Sequence, residues 1–180
     1  RRIGGQAGQL YLEFRAAAEN EARRIAGHDV GLDAIFKQFA AMSDLSADVV
    51  KEICELEKTI ELAIVSPRPE TIALFKLAIN LGKRVVLASD MYLPKSVIET
   101  MLTRCGINGW HKFYLSSDNR LRKDTGHFYR QLLTDENVSP HEILVIGDNE
   151  HSDVQIPVDM GFRTMHIMRP VELARAIPRF

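Results

Sequence analysis

The chain has 180 residues, of which 46% are hydrophobic and 26% charged, and its formal net charge is −1. This length and composition suit one soluble domain, or one domain with an insertion, and the near-neutral charge argues against nucleic acid or an anionic membrane as a partner. No apolar run reaches transmembrane length, and no signal-peptide pattern opens the sequence. The two cysteines, Cys54 and Cys105, lack CxxC spacing, so we expect a reducing, cytoplasmic setting.

The first 65 residues carry helical periodicity and little strand character. Apolar residues recur at three- and four-residue steps over residues 7–26, and Gly27 follows as a stop signal. A shorter helix comes next, and then a third that either Ser46 or Asp48 could cap. Residues 1–65 are therefore predicted to be a helical lobe attached to another domain.

From residue 66 onward, helical and strand patterns alternate. Two prolines, Pro67 and Pro69, mark the boundary. Regular alternation over residues 66–169 predicts an α/β fold with a parallel, right-handed sheet covered by helices on both faces. The predicted strands are residues 84–89, 112–116, 143–146 and 163–168, and the predicted helices are residues 69–81, 94–104, 127–136 and 153–160.

The third predicted strand leads into an acidic loop. Its continuous apolar run, residues 143–146, is typical of a strand buried on both faces of a parallel sheet. Gly147 follows, which allows a sharp turn, and then the carboxylates of Asp148 and Asp153. Open α/β sheets bind ligands beyond the carboxyl ends of their strands, and acidic residues there favour a hard cation such as Mg²⁺. The alternative is an acidic, solvated loop that caps the next helix.

Two other predicted strand ends carry residues that suit a phosphate group. Ser89 and Asp90 follow the first strand, and Arg122 and Lys123 lie in the polar loop after the second. Because parallel strands point their carboxyl ends the same way, we expect a hydroxyl, a cation and an acidic metal site at one edge. The hydroxyl and the ammonium would hold phosphate oxygens, and the metal would neutralise their charge. Taken singly, each residue could instead cap a helix or lie on the surface.

These stretches resemble the motifs of the haloacid dehalogenase-like (HAD) hydrolase superfamily. The strand ending in Ala88-Ser89-Asp90 resembles its second motif, Lys123 its third, and residues 147–153 its fourth. The stretches Ser89-Asp-Met-Tyr-Leu-Pro94 and Lys123-Asp-Thr-Gly126 further resemble a bacterial subgroup found in or beside glycosyltransferase and surface-polysaccharide proteins. The resemblance implies a Rossmann-like core with a helical cap inserted ahead of the second motif.

That cap would be residues 1–65, and its first helix carries Arg15, Glu19 and Arg23. The cap would close over the site and select the substrate. These three charges could face the substrate, although solvated helix charges are the more common case.

The resemblance also implies a Mg²⁺-dependent phosphatase or phosphotransferase that acts on a small phosphorylated metabolite or sugar phosphate through an aspartyl-phosphate. Asp148 would bind the metal, and Asp153 would help to bind the metal or its waters, or orient Lys123. Ser89 would hydrogen-bond the phosphoryl group, and Lys123 would stabilise its charge. His151, beside the acidic site, is interpreted as an exposed loop residue rather than an acid or base.

The superfamily's first motif, Asp-x-Asp, supplies the nucleophile and the general acid, and it does not occur in these 180 residues. Arg1-Arg2-Ile3 resembles the basic turn that follows this motif in the subgroup, so we expect the motif just upstream of Arg1 in the gene. In the superfamily, the strand that carries it lies between those that correspond to the strands ending at Ser89 and Asp148. Without it these two strands would each have an unpaired edge or would pair with one another, so a poorly stable and inactive chain is expected. The alternative is a non-catalytic module that supports a fused or partner glycosyltransferase.

Overall fold

The computed structural model describes residues 4–176 of the 180. Within that range the chain begins with helices and then alternates between helices and short strands. The helices are α1 (Gly5–Ala26), α2 (Leu32–Ser43), α3 (Ala47–Ile64), α4 (Pro69–Asn80), α5 (Lys95–Arg104), α6 (Ser116–Asn119), α7 (His127–Glu136), α8 (Ile156–Asp159) and α9 (Pro170–Ala176). The strands are β1 (Val86–Ser89), β2 (Lys112–Leu115), β3 (Leu144–Gly147) and β4 (Arg163–His166). A 3₁₀ turn (Pro140–Glu142) precedes β3, and a π-helix (Glu150–Gln155) leads into α8.

The helical start of the chain follows its local signals closely. The first helix ends where Gly27 adopts the left-handed conformation (φ 72°), and the Gly27 N–H donates to the carbonyl of Arg23 at 2.8 Å. Of the two residues considered as the cap of α3, Ser46 is the one used, because its hydroxyl accepts the N–H of Val49 at 3.5 Å. None of the helices in the described part of the chain is both long and apolar enough to cross a membrane.

The chain divides into two compact units, residues 1–120 and 121–180. The first unit holds α1 to α6 with β1 and β2, and the second holds the remaining elements. The apolar core of the second unit is built from Phe128, Tyr129, Leu132 and Phe162. A cap at residues 1–65 and a core at residues 66–180 stay predictions. The basic turn predicted at residues 1–3 lies outside the described residues.

The strands form two parallel pairs, which confirms the predicted parallel α/β fold. In the first pair Ser89 of β1 lies opposite Leu115 of β2, and in the second Gly147 of β3 lies opposite His166 of β4. Within the described residues no strand joins the two pairs into one sheet. Among the residues that the structure describes, β1 and β3 therefore each have one strand neighbour.

The expectation that β3 is buried on both faces is wrong. The side chains of Leu144 and Ile146 are 53% and 41% exposed, whereas Val145, between them, is half-buried. Successive side chains of a strand point to opposite sides, so Leu144 and Ile146 share one side. That side is not fully covered by any part of the chain that the structure describes.

The segment after β3 differs from the single helix predicted over residues 153–160. A π-helix begins at Glu150, and α8 follows it. Helix formation starts early because the side chain of Asn149 accepts the backbone N–H groups of His151 and Ser152, at 3.1 and 3.0 Å. Pro157 lies in the first turn of α8, where proline is tolerated. The helix α9 and the short helix α6 were not predicted, the latter in a stretch expected to be strand end and loop.

Candidate functional site

Lys123 and Asp153, predicted from separate motifs, form an ion pair in the second unit. The Lys123 Nζ donates to Asp153 Oδ1 at 2.7 Å, and the two side chains are only 14% and 8% exposed. Lys123 lies in the loop before α7, and Asp153 lies in the π-helix. Because water is largely excluded, the attraction between these charges is less screened than at the surface. The pair places a fixed ammonium next to the acidic loop.

The second carboxylate oxygen of Asp153 is held by the loop itself. Its Oδ2 accepts the backbone N–H of Asn149 at 3.1 Å, and the N–H of Asp153 donates to the carbonyl of Asn149 at 2.8 Å. Both oxygens of Asp153 therefore have protein donors. The carboxylate ties the start of the π-helix to Lys123, and such π-helical turns are frequent at functional sites.

Gly147 makes room for this carboxylate. A Cβ at position 147 would lie 2.5 Å from the Cβ and Cγ of Asp153 and closer still to its Oδ2. Gly147 is not one of the glycines with positive φ, so its backbone conformation does not require glycine. The sequence-based reason for Gly147, a sharp turn, is therefore replaced by a steric one.

Tyr129, a residue that sequence reasoning missed, also holds the segment that carries Asp153. Tyr129 is 1% exposed, and its hydroxyl donates to the backbone carbonyl of Ser152 at 2.7 Å. Its ring packs edge-on against Phe162, with centroids 5.3 Å apart. Tyr129 thus joins α7 to the π-helix that carries Asp153. A tyrosine on the apolar face of α7 is the signal that could have indicated a buried hydroxyl seeking a partner.

Asp148 is the accessible carboxylate of the site. Its side chain is 48% exposed, and its Oδ2 lies 3.3 Å from Arg169 Nε. Its backbone carbonyl lies 3.3 Å from His166 Nε2. His151, as expected, is exposed, with a ring nitrogen 3.2 Å from Gln155 Oε1. An open cavity of about 500 Å³ adjoins the loop, lined by Asp148, Asn149, Glu150, His151, Val154, Gln155, Arg169 and Glu172.

The carboxylates of Asp148 and Asp153 differ in how readily they could bind Mg²⁺. Magnesium in proteins is commonly bound through one or two carboxylates, with water and phosphate oxygens as the other ligands. Asp148 offers one accessible carboxylate, whereas the oxygens of Asp153 are engaged by Lys123 and Asn149. The described residues contain no group of three or more His, Cys, Asp or Glu placed to hold a metal. Asp148 could therefore supply one carboxylate ligand to Mg²⁺, and the other ligands would come from water or phosphate oxygens.

Ser89, the fourth predicted site residue, lies at the carboxyl end of β1 in the first unit and is half-buried. The loop that follows it carries Tyr92. The backbone carbonyl of Tyr92 accepts the N–H of Leu32 at 2.8 Å, and its hydroxyl donates to Glu61 Oε1 at 3.2 Å. The loop after Ser89 is thus held by α2 and α3 of the helical lobe.

The side chain of Arg15 is buried, whereas a solvated helix charge was the more common case expected. Its side chain is 9% exposed, and its Nε and Nη2 donate to both carboxylate oxygens of Glu57, at 2.9 and 2.7 Å. Its Nη1 donates to Glu19 at 2.9 Å, and its guanidinium lies 4.8 Å from the ring centre of Tyr92. Burial lowers the pKa of Arg15, but the hydrogen bonds and charges of Glu57 and Glu19 outweigh it, so the net pKa is raised. Arg15 therefore joins α1, α3 and the loop after Ser89.

The partner of Arg15 was missed by sequence reasoning. Glu57 is 5% exposed and shares the buried face of α3 with Val50 and Ile53. A carboxylate at three- and four-residue spacing from apolar core positions was the available signal, because a buried charge needs a partner.

No family model and no curated protein matches the chain at the level of sequence. Solved structures do match. An L-2-haloacid dehalogenase from Xanthobacter autotrophicus aligns with 94% of this chain and 68% of its own, at 12% identity and a TM-score of 0.59. A haloacid dehalogenase-like family hydrolase from Xanthomonas campestris aligns with 96% of this chain and 73% of its own, at 16% identity and a TM-score of 0.63.

A predicted phosphoglycolate phosphatase from Haemophilus somnus aligns with 93% of this chain and 85% of its own, at 16% identity and a TM-score of 0.50. At these identities the likeness concerns the fold alone. The chain has the fold of the haloacid dehalogenase-like hydrolases, as its motifs led us to expect.

Proposed function

We propose that this chain is part of a Mg²⁺-dependent phosphatase or phosphotransferase of the HAD type, acting on a small phosphorylated metabolite or sugar phosphate. One observation carries the proposal: Lys123 and Asp153 form a largely buried ion pair, with the nitrogen and oxygen 2.7 Å apart, in the unit that also holds the accessible carboxylate of Asp148. A fixed cation and an accessible carboxylate are the two groups that a metal-bound phosphate needs.

Each residue then has a defined task. An ammonium has three N–H donors, so Lys123 can keep one on Asp153 and direct the others at phosphate oxygens. Asp153 holds that ammonium in place, which is the second of the two roles considered for it. Asp148 would bind Mg²⁺, which when present supplies charge neutralisation at the phosphoryl oxygens. Ser89 would donate its hydroxyl to the same group.

The attacking carboxylate is proposed to come from a segment outside the 180 residues, since they contain no Asp-x-Asp. That carboxylate would attack phosphorus, and the substrate alcohol would leave with a proton from the second aspartate of the motif. Water would then hydrolyse the aspartyl-phosphate and release inorganic phosphate. The edge of β3 supports this view: within the described residues β3 pairs only with β4, so its other edge can accept one more strand.

The second candidate function is a non-catalytic module that supports a fused or partner glycosyltransferase. The absence of Asp-x-Asp from the chain favours it. The ion pair of Lys123 and Asp153 and the accessible Asp148 favour the enzyme, because a packing module needs no such site. Cytoplasmic location also stays a prediction.

Phosphate release by the natural full-length protein is the decisive test. Sugar phosphates and small phosphorylated acids are the substrates to offer, with a 2-haloacid as a separate arm because several structural neighbours are dehalogenases. We expect Mg²⁺-dependent phosphate release that falls about 100-fold or more in Asp148→Ala and Lys123→Ala. Asp159→Ala, an exposed aspartate of α8, is the matched control and should keep full activity.

Equal turnover in wild type and Asp148→Ala, or full turnover in EDTA, would refute the metal role. Halide release without phosphate release would make the protein a dehalogenase. No turnover in any arm would favour the binding module. The 180 residues alone should be inactive, so robust Mg²⁺-dependent turnover from them would overturn the proposed source of the nucleophile.

A further inference from the structure

The guanidinium of Arg169 lies beside Asp148, the proposed metal ligand. Its Nε lies 3.3 Å from Asp148 Oδ2, and the two side chains are 47% and 48% exposed. Both residues line the same open cavity. The backbone N–H of Arg169 donates to Glu172 Oε2 at 2.7 Å, which fixes the residue at the start of α9. The guanidinium is thus presented to Asp148 from a held backbone position.

We propose that Arg169 competes with the metal for Asp148 and so sets the metal affinity of the site. Mg²⁺ bound to Asp148 would lie close to this guanidinium, and two cations beside one carboxylate repel each other. The inference rests on the proposed role of Asp148 as the metal ligand, but that role does not itself require a competing residue.

The effect is modest in size. Half-exposed ion pairs are weak, and removal of this one should raise the metal association constant about two- to five-fold. Salt screens such a pair, so the rise should be largest at low ionic strength.

The test is direct metal binding, independent of activity. Mn²⁺ serves as the probe, and electron paramagnetic resonance of free Mn²⁺ gives its affinity for the natural full-length protein at low salt. We compare wild type, Arg169→Gln, Asp148→Asn and Arg175→Gln. Arg175 is an exposed arginine of α9, the helix that Arg169 precedes, so its loss removes the same charge elsewhere. We expect Arg169→Gln to bind two- to five-fold tighter, Arg175→Gln to match wild type, and Asp148→Asn to lose the site.

The outcomes separate the two claims. If Asp148-dependent binding is present and Arg169→Gln binds no tighter than wild type, the competition is refuted and the proposed function stands. If Asp148→Asn binds Mn²⁺ as wild type does, the metal role fails and the competition fails with it. Should Arg169→Gln not fold, Arg169→Met decides, because methionine also removes the guanidinium and its charge. Its affinity should lie above that of wild type, and an unchanged or weaker affinity would refute the proposal.

Discussion

Asp153 lies so close to Gly147 that no side chain fits at position 147. A Cβ there would lie 2.5 Å from the Cβ and Cγ of Asp153, well inside van der Waals contact. The carboxylate that holds Lys123 is therefore seated against bare backbone at the end of β3. This contact is the tightest constraint on the candidate site.

Gly147→Ala should displace Asp153 and loosen its pair with Lys123. We expect a loss of about 1–3 kcal/mol in the free energy of unfolding, the usual cost of overpacking a filled site, measured by urea denaturation. Gly8→Ala is the control, because Gly8 lies in α1 with nothing within 4 Å of an added Cβ. That change should leave stability unchanged or raise it slightly. An alanine at 147 with wild-type stability would contradict the packing described above.

Removing one member of the Arg15–Glu57 pair should destabilise the first unit strongly. Arg15→Met leaves the Glu57 carboxylate, 4% exposed, without its main partner. The expected cost is about 3–5 kcal/mol in the free energy of unfolding. The double variant Arg15→Met/Glu57→Met should recover part of it, since no unpaired charge is left. A single variant that unfolds like wild type would show that the pair is not buried in solution.

Tyr11 should make the protein less stable at alkaline pH. Burial, followed by the charge and hydrogen bond of Glu57, raises the pKa of Tyr11 from 10.0 to about 12. Below pH 10 the phenol is protonated in both states. Between pH 10 and 12 it ionises in the unfolded chain but not in the folded one, so the free energy of unfolding falls as pH rises. Denaturant titrations at several pH values should show a shallower fall for Tyr11→Phe, and identical slopes would contradict the assignment.

Ile146 tests whether something outside the 180 residues covers β3. In the 180-residue chain its side chain is 41% exposed, so Ile146→Thr should change the free energy of unfolding by about 0.5 kcal/mol or less. In the natural full-length protein the extra strand and the segment that carries it should cover this side of β3 more fully, and the same change should cost more. Phe162→Ala, at a side chain 5% exposed, is the internal standard and should cost about 3–5 kcal/mol in both. An equal, small effect of Ile146→Thr in the two proteins would argue against the extra strand.

Local signals in the sequence were enough to place most elements. The helix predicted over residues 127–136 is α7, with the same bounds, because its apolar period is flanked by Gly126 and Asn137 in left-handed conformations. Ser46 or Asp48 was predicted as a cap, and both positions lie where helix α3 begins. Such signals involve residues within one or two turns of each other, so they can be read without tertiary contacts.

Long-range pairing needed the tertiary structure. The members of the Lys123–Asp153 pair are 30 residues apart, and those of the Arg15–Glu57 pair are 42 apart. Each pair forms only when the helices and loops that carry it pack together. Periodicity marks position 57 as buried, but it does not identify Arg15 as the partner of the Glu57 carboxylate. A buried charge needs a partner, and which residue serves depends on how the helices pack.

The sequence by itself determined the order of the helices and strands, since this order follows from local patterns of neighbouring residues. It also showed which polar residues follow the strands. Only the tertiary structure decided that Gly147 is needed for space, that Asp153 is held by Lys123 and Asn149, and that Arg169 lies on Asp148. Those relationships depend on distances between atoms that the chain brings together by folding.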